Sequence, residues 1–217
     1  MTMHQPSRFR MEQRDDCHRV IAEAPFATLV TNLADGQLSA DHLPLLLQPA
    51  EDDRSRDRLI GHVARANPLV PCLEAADDGG DALAIFHGPH AYVTPSWYPA
   101  KREHGRVVPT WNYQVVHVHG RLRLIDDPDW VLDMVTALTE RFEGGRSSPW
   151  RVEDAPEDYI AGMCRAIVGI ELTIEWITGK HKASQHKSPE ERNAIHEGLC
   201  REYGRTEWEA ACLSGRQ

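Results

Sequence analysis

Over much of this chain apolar and polar residues alternate with a period of two, the spacing of strands that bury one face. Stretches with helical spacing interrupt the alternation. Residues 11–24 predict a helix with Cys17, Val20, Ile21 and Ala24 on one face, ended by Pro25. "FATLVTN" predicts a strand, Asp35-Gly36 a hairpin turn, and "LSADHLPLLLQ" the returning strand, with Pro44 marking an edge or a bulge. Residues 49–57 are too densely charged to bury and read as a solvated loop.

A further strand starts at Arg58, turns at Ala64 to Asn67, and leads into a short helix opened by Pro68. Residues 77–81 form a turn. Residues 82–98 predict one or two strands broken at Gly88-Pro89, and 99–106 a polar loop. Residues 113–127 make a long strand in which Val116, Val118 and Gly120 alternate with His117, His119 and Arg121. A helix follows, with Pro128 at its start, Asp126 or Asp127 as cap and Gly144-Gly145 as its end.

Pro156 opens another short helix. The last strand, 165–179, places Ile170, Leu172, Ile174 and Trp176 opposite Glu171, Thr173 and Glu175. "KHKASQHK" reads as a basic polar loop. Residues 188–203 carry a full helix-start signature: Ser188 as cap, Pro189 at the first position, Glu191 to complete a capping box. The last dozen residues add a turn of helix or fray. About six strands joined by short connections, with helices towards the ends, predict a mainly β barrel with helical decoration. No βαβ alternation, GxGxxG or P-loop competes with it.

The chain has 217 residues, 41% hydrophobic and 26% charged, without repeats or a composition shift, so a single domain over 1–217 is expected. Its formal net charge of −9 repels nucleic acid overall, so DNA contact requires a local basic patch, for which Lys180, Lys182 and Lys187 are candidates. Cys17, Cys72, Cys164, Cys200 and Cys212 stand singly, which predicts reduced thiols in a cytoplasmic protein. No apolar run approaches the roughly 18 residues of a membrane span.

Three kinds of chemistry compete. His87 with His90, and His117 with His119, are pairs without a third ligand or an HExxH pattern, so no metal site is expected. Nucleophilic catalysis has no GxSxG, and Asp52-Asp53 and Asp77-Asp78 read as solvated turns. A flat anionic cofactor fits better. Arg65 and Asn67 sit before a Pro-started helix where a phosphate could be held. "TPSWYPAK" and "PTWNY" supply indoles, phenols, hydroxyls and a lysine in expected loops. Corner packing of Trp97 and Trp111 is the alternative for those aromatics.

In order, "PFATLVT", "HLPLLL", "GHVARANP", "LAIFHGPHAYVTPSWYPAK", "HGRVVPTWNYQVVHVHGR", "APEDYI" and "IVGIELTIEWITGKHKASQHKSPEER" resemble the PaiB family over about residues 6–200. The resemblance implies an FMN-binding split β-barrel, similar to pyridoxamine-phosphate oxidases and homodimeric, with flavin in a groove between subunits. Members are described as negative transcriptional regulators, although no helix-turn-helix is evident here.

Carried over by position, the resemblance implies His62, Arg65 and Asn67 on the phosphate side. It implies Ser96, Trp97, Tyr98 and Lys101 in one wall, Thr110, Trp111, Asn112 and Tyr113 in a second, and Lys182, Ser184 and Gln185 in a third. His181, Ala183 and His186 depart from the family's expected aromatic, leucine and asparagine, and Pro71 replaces a tryptophan. No catalytic residue is assigned. Three functions stay open: a flavin-linked transcriptional regulator or redox sensor, a flavin-dependent oxidoreductase on a small molecule, and a haem-binding or haem-degrading protein using His117, His119, His181 or His186.

Overall fold

The computed structural model describes residues 3–33, 35–50, 55–76 and 78–215. In chain order the strands and helices are β1 (Arg10–Met11), α1 (Arg14–Glu23), β2 (Phe26–Asn32), β3 (Leu38–Pro44), β4 (Leu46–Gln48), β5 (Arg58–Ala64), α2 (Leu69–Glu74) and β6 (Gly80–Val93). They continue with α3 (Ala100–Glu103), β7 (Thr110–Ile125), α4 (Pro128–Glu143), α5 (Glu157–Arg165), β8 (Ile167–Lys182), α6 (Pro189–Tyr203) and α7 (Glu207–Ser214). The chain divides into two compact units: Met1–Ala24, Phe86–His117 and Ile177–Gln217 form one, and Pro25–Ile85 and Val118–Trp176 the other.

The unit of residues 25–85 and 118–176 holds strands in the order β3-β2-β6-β7-β8-β5-β4. β2 pairs antiparallel with β3 and with β6, and β5 with β4 and with β8. Gly36 supplies the positive φ of 82° that the β2–β3 turn requires. Pro44 ends β3, which lies at the end of the strand order, as its missing N–H demands. The β-branched and leucine positions of these strands bury Leu29, Leu59, Leu122, Ile170 and Leu172 completely or nearly so. Such a side chain contributes about 1.5–3 kcal/mol on burial.

α4 closes over this sheet with Val131, Met134 and Leu138 against Ile60. Asp127 is its cap, accepting from Asp129 N at 2.9 Å and Trp130 N at 3.2 Å. Glu171, predicted on the polar face of β8, is buried, and its carboxylate receives Arg123 Nη2 at 2.7 Å and Arg58 Nη1 at 3.4 Å. The pairing explains how an acid tolerates that position.

In the unit of residues 1–24, 86–117 and 177–217, β1 pairs with the end of β8, and α1 buries Cys17, Val20 and Ile21 as its spacing predicts. Burial pushes the Cys17 thiol up to about 11, so it is a packing residue. A second core joins Ala91, Val93, Trp97 and Tyr98 to Ile195 and Leu199 of α6 and Ala210 and Leu213 of α7. Ser188 and Glu191 form the predicted capping box, and Gly204 (φ 60°) ends α6. Thr206 and Glu209 then cap α7 in the same way, so Glu207–Ser214 make a full two-turn helix rather than fraying.

Four local expectations change. Gly88-Pro89 does not break a strand: β6 runs from Gly80 to Val93, because proline's φ suits extended backbone wherever no ladder N–H is needed. Thr110–Asn112 extends β7 ahead of its expected start at Tyr113, and Lys180–Lys182 closes β8, where loops were expected. Ala100–Glu103 is a helical turn. Polar residues here occupy strand ends, where one face meets solvent. Eight strands are present among the described residues, against about six expected. Asp52, Asp53 and Asp77 lie outside the described residues.

Candidate functional site

Eleven of the fourteen expected site residues fall in the unit with α6 and α7. The alternation of β7 sends Asn112 inward, fully buried, and Trp111 outward, 53% exposed. Asn112 Nδ2 donates to Ser184 Oγ at 2.9 Å and to the Leu213 carbonyl at 2.8 Å, while Ser184 Oγ lies 3.2 Å from Asn112 Oδ1. The Tyr98 phenol also bonds Ser184. Burial pushes Tyr98 above the ordinary phenol range, the Ser184 bond opposes this, and nearby Glu191 adds to the rise. These three side chains form a closed polar layer, fully engaged and withdrawn from water.

Outward of that layer, Lys182 Nζ donates to Thr110 Oγ1 and to the Trp111 carbonyl, the latter at 2.7 Å. Burial lowers its pKa first of all; Tyr113 raises it and Lys180 lowers it. An ammonium has three donors, so one remains for a ligand. The Trp111 indole meets His90 at 5.9 Å and Tyr92 at 6.2 Å between ring centroids, which holds the exposed ring in place. Lys180 stands over Tyr113 at 5.4 Å. Gln185 Oε1 accepts from Ala183 N at 2.9 Å, closing the turn after β8.

Trp97 is a packing residue in this unit. It is buried, its Nε1 donates to Glu202 Oε1 at 2.8 Å, and its ring fits against Gly198 of α6. Lys101 Nζ reaches Ser96 Oγ at 3.0 Å on the surface.

The other three residues belong to the second unit. Asn67 Oδ1 accepts from Leu69 N at 2.8 Å, shaping the start of α2, and its Nδ2 donates to Asp41 Oδ1 at 2.7 Å. Arg65 makes a two-pronged pair with Asp126, at 2.7 and 2.8 Å, and donates to the carbonyls of Arg165 and Ile167. Those bonds account for most of its donors, so its placement favours joining β5 to β8 over gripping a phosphate. His62 differs: its Nδ1 is buried without a hydrogen-bond partner among the described residues, and burial lowers its pKa. The second carboxylate oxygen of Asp41 is likewise buried and unpartnered there. Unpaired buried groups of this kind cost about 1–3 kcal/mol each unless a ligand satisfies them.

The family described as "Putative FMN-binding domain" matches residues 3–176. "Protease synthase and sporulation protein PAI 2" of Bacillus subtilis is 32% identical over 186 residues, covering 86% of this chain and 84% of that protein. The chain belongs to the PaiB family of FMN-binding-domain proteins. The fold agrees. It is similar to the structure of the FAD and heme binding protein from Mycobacterium smegmatis, with TM-score 0.54, 19% identity and coverage of 80% of this chain and 73% of that one. It is also similar to the flavocytochrome Anf3 from Azotobacter vinelandii, with TM-score 0.53, 15% identity and coverage of 82% and 72%.

As a PaiB-family member with a split-barrel fold, the chain has residues that fit FMN. In the unit with α6 and α7, Lys182 offers a partly shielded cation and Trp111 an exposed aromatic face; in the other unit, taken by itself, His62 carries an unsatisfied polar atom. Asp41 was not anticipated, since an acid in "SADHLP" looks like any strand-face carboxylate. The trio His196, Cys200 and Glu207 was also missed, although its His-x-x-x-Cys spacing on a helix was readable. Among the described residues no helix is long and apolar enough to cross a membrane.

Proposed function

We propose that this chain binds FMN as a homodimer and works as a PaiB-type negative regulator that responds to the state of its flavin. The observation that carries the cofactor reading is the closed Asn112–Ser184–Tyr98 layer. It supports an outer surface made of the exposed Trp111 indole and the Lys182 ammonium. Lys182 supplies positive charge for the flavin's phosphate or its ring carbonyls, and Trp111 of the same unit a flat apolar contact. Bound FMN would supply electron-transfer chemistry that the protein can report on.

Regulation through a protein partner is favoured over direct DNA contact. The lysines that could form a basic patch already have partners: Lys180 with the His4 carbonyl, Lys182 with Thr110 and Trp111, Lys187 with Glu191. A net charge of −9 adds to the argument. Flavin is favoured over haem because the matching family is described by FMN binding and because three of the candidate imidazoles are held in bonded or packed positions. The His181 Nε2 bonds the Cys212 carbonyl at 2.6 Å, His119 stacks on Trp176 at 4.6 Å, and His186 packs edge-on against Phe9.

The test is a visible absorption spectrum of the purified protein and of the supernatant after heat denaturation. A two-banded flavin spectrum released on heating supports the reading, and a Soret band replaces it with haem. Colourless protein that takes up no added FMN overturns it. Partner dependence is then tested by a gel shift with and without cell extract; a salt-sensitive shift by the protein alone overturns the indirect route.

A further inference from the structure

His196 and Cys200 lie one turn apart on α6, so their side chains share a face. Gly204 turns the chain at the end of that helix, and Thr206 caps α7, whose first residue is Glu207. The turn brings Glu207 back over the same face: its Oε2 lies 3.1 Å from His196 Nε2, and its Oε1 lies 4.0 Å from Cys200 Sγ. One ligand atom from each of the three residues lies within 4.8 Å of the others. Zinc bonds of about 2.0–2.3 Å set tetrahedral ligand atoms roughly 3.5 Å apart, between these two separations.

We propose that His196, Cys200 and Glu207 bind a zinc-class divalent metal ion, at a site separate from the flavin surface. The donor set selects the ion. Imidazole, thiolate and carboxylate together suit zinc or cobalt, whereas magnesium and calcium want oxygen ligands throughout. Thiolate and carboxylate carry two negative charges, which a divalent ion neutralises. Burial differs along the trio: His196 is buried, Cys200 partly so, and Glu207 is 85% exposed in its side chain. The ion therefore enters from the Glu207 side and keeps an open fourth position for water or a small ligand.

A bare His196–Glu207 ion pair is the competing account of the 3.1 Å contact. It accounts for two of the three groups, while Cys200, packed against the same core, sets a thiol beside them as a third donor. The metal would also tie α7 to α6. That matters for the neighbouring site, because the Leu213 carbonyl of α7 accepts from Asn112 and the Gly215 carbonyl after it accepts from Arg192 of α6.

The experiment uses the full chain, stripped with a chelator under reducing conditions and titrated with Co2+, read by metal analysis and by difference spectra. The expected result is one cobalt per chain with a sulfur-to-metal charge-transfer band, displaced by Zn2+. C200S removes the band, and E207Q, altered at an exposed position, weakens affinity by more than about tenfold, since loss of even a supporting partner costs about 10–100-fold. C72S, changed in the other unit, retains both. Absence of cobalt uptake overturns the proposal, and so does uptake that C200S and E207Q leave unchanged. Flavin content is read separately by its own absorption, so failure of the metal site and failure of the flavin assignment are distinguishable.

Discussion

Ser184 holds a left-handed backbone (φ 59°), and its hydroxyl meets the buried side chain of Asn112 twice, at 2.9 and 3.2 Å. It is the one non-glycine with positive φ among the described residues. A left-handed L-residue costs about 1–2 kcal/mol, and here the hydrogen bonds to Asn112 and Tyr98 offset it. The strain sits where the chain leaves β8 and Gln185 closes the turn, which is where strain at functional segments is commonly held.

The first prediction orders three variants. S184A keeps the strained backbone and loses the hydroxyl, costing about 1–3 kcal/mol. S184G loses the same hydroxyl but relieves the backbone, and so destabilises less. N112A withdraws donors from both Ser184 and the Leu213 carbonyl and costs about 2–4 kcal/mol. Urea unfolding midpoints check the order; S184G falling below S184A would remove strain from the account.

Trp111 and Lys182 separate binding from stability. W111A truncates an exposed ring, so stability changes by less than about 0.5 kcal/mol, while the lost aromatic contact lowers FMN affinity by about tenfold, or 1.4 kcal/mol. K182M loses a charged donor and lowers affinity roughly 10–100-fold. Fluorescence titration with FMN measures both, with K182R expected to recover part of the loss. Unchanged affinity in both variants would move the flavin surface elsewhere.

Burial lowers the pKa of His62 and of His181; for His181 the Cys212 carbonyl and Asp16 partly oppose it. The unfolded chain takes up protons near the ordinary histidine value of about 6.5, before the folded chain does. The stability these groups contribute is therefore present in full above that value and lost as pH falls through the lower folded values. Unfolding midpoints taken downward from pH 7.5 should show this loss, with a shallower fall in H181Q, whose amide keeps a donor and does not titrate. An identical slope in H181Q would rule His181 out as a contributor.

Gly198 stands against the Trp97 indole so closely that a Cβ would overlap its ring atoms. G198A should cost about 1–3 kcal/mol by overpacking, against the gain of up to about 1 kcal/mol that alanine brings to an ordinary helix interior. Thermal unfolding gives the sign directly. A stabilised G198A would mean that Trp97 moves away freely.

Much of the architecture was legible because it rests on local rules. Ser188 with Glu191, Asp127 with Pro128, and the alternation of Val116 and Val118 with His117 and His119 each name an element from a few neighbouring residues. The motifs in "PTWNY" and "KHKASQHK" were legible too, but as loops. Their polarity hid that Thr110–Asn112 and Lys180–Lys182 belong to strands with a single buried face.

By itself the sequence determined the main strands and helices, encoded in periodicity and capping chemistry, and the family pattern, encoded in short motifs from which candidate cofactor residues were named. Tertiary structure alone decided which of those residues are supports and which are available. Asn112, Ser184, Tyr98 and Trp97 turn inward and are saturated by partners, Arg65 is taken by Asp126, and Trp111 stays exposed. It also decided that Glu171 is a buried acid between two arginines and that Glu207 returns to His196 and Cys200. The physical reason is range: propensity and pattern act over a few residues, whereas partners such as Asn112 and Ser184 lie 72 positions apart and meet only when the strands pair.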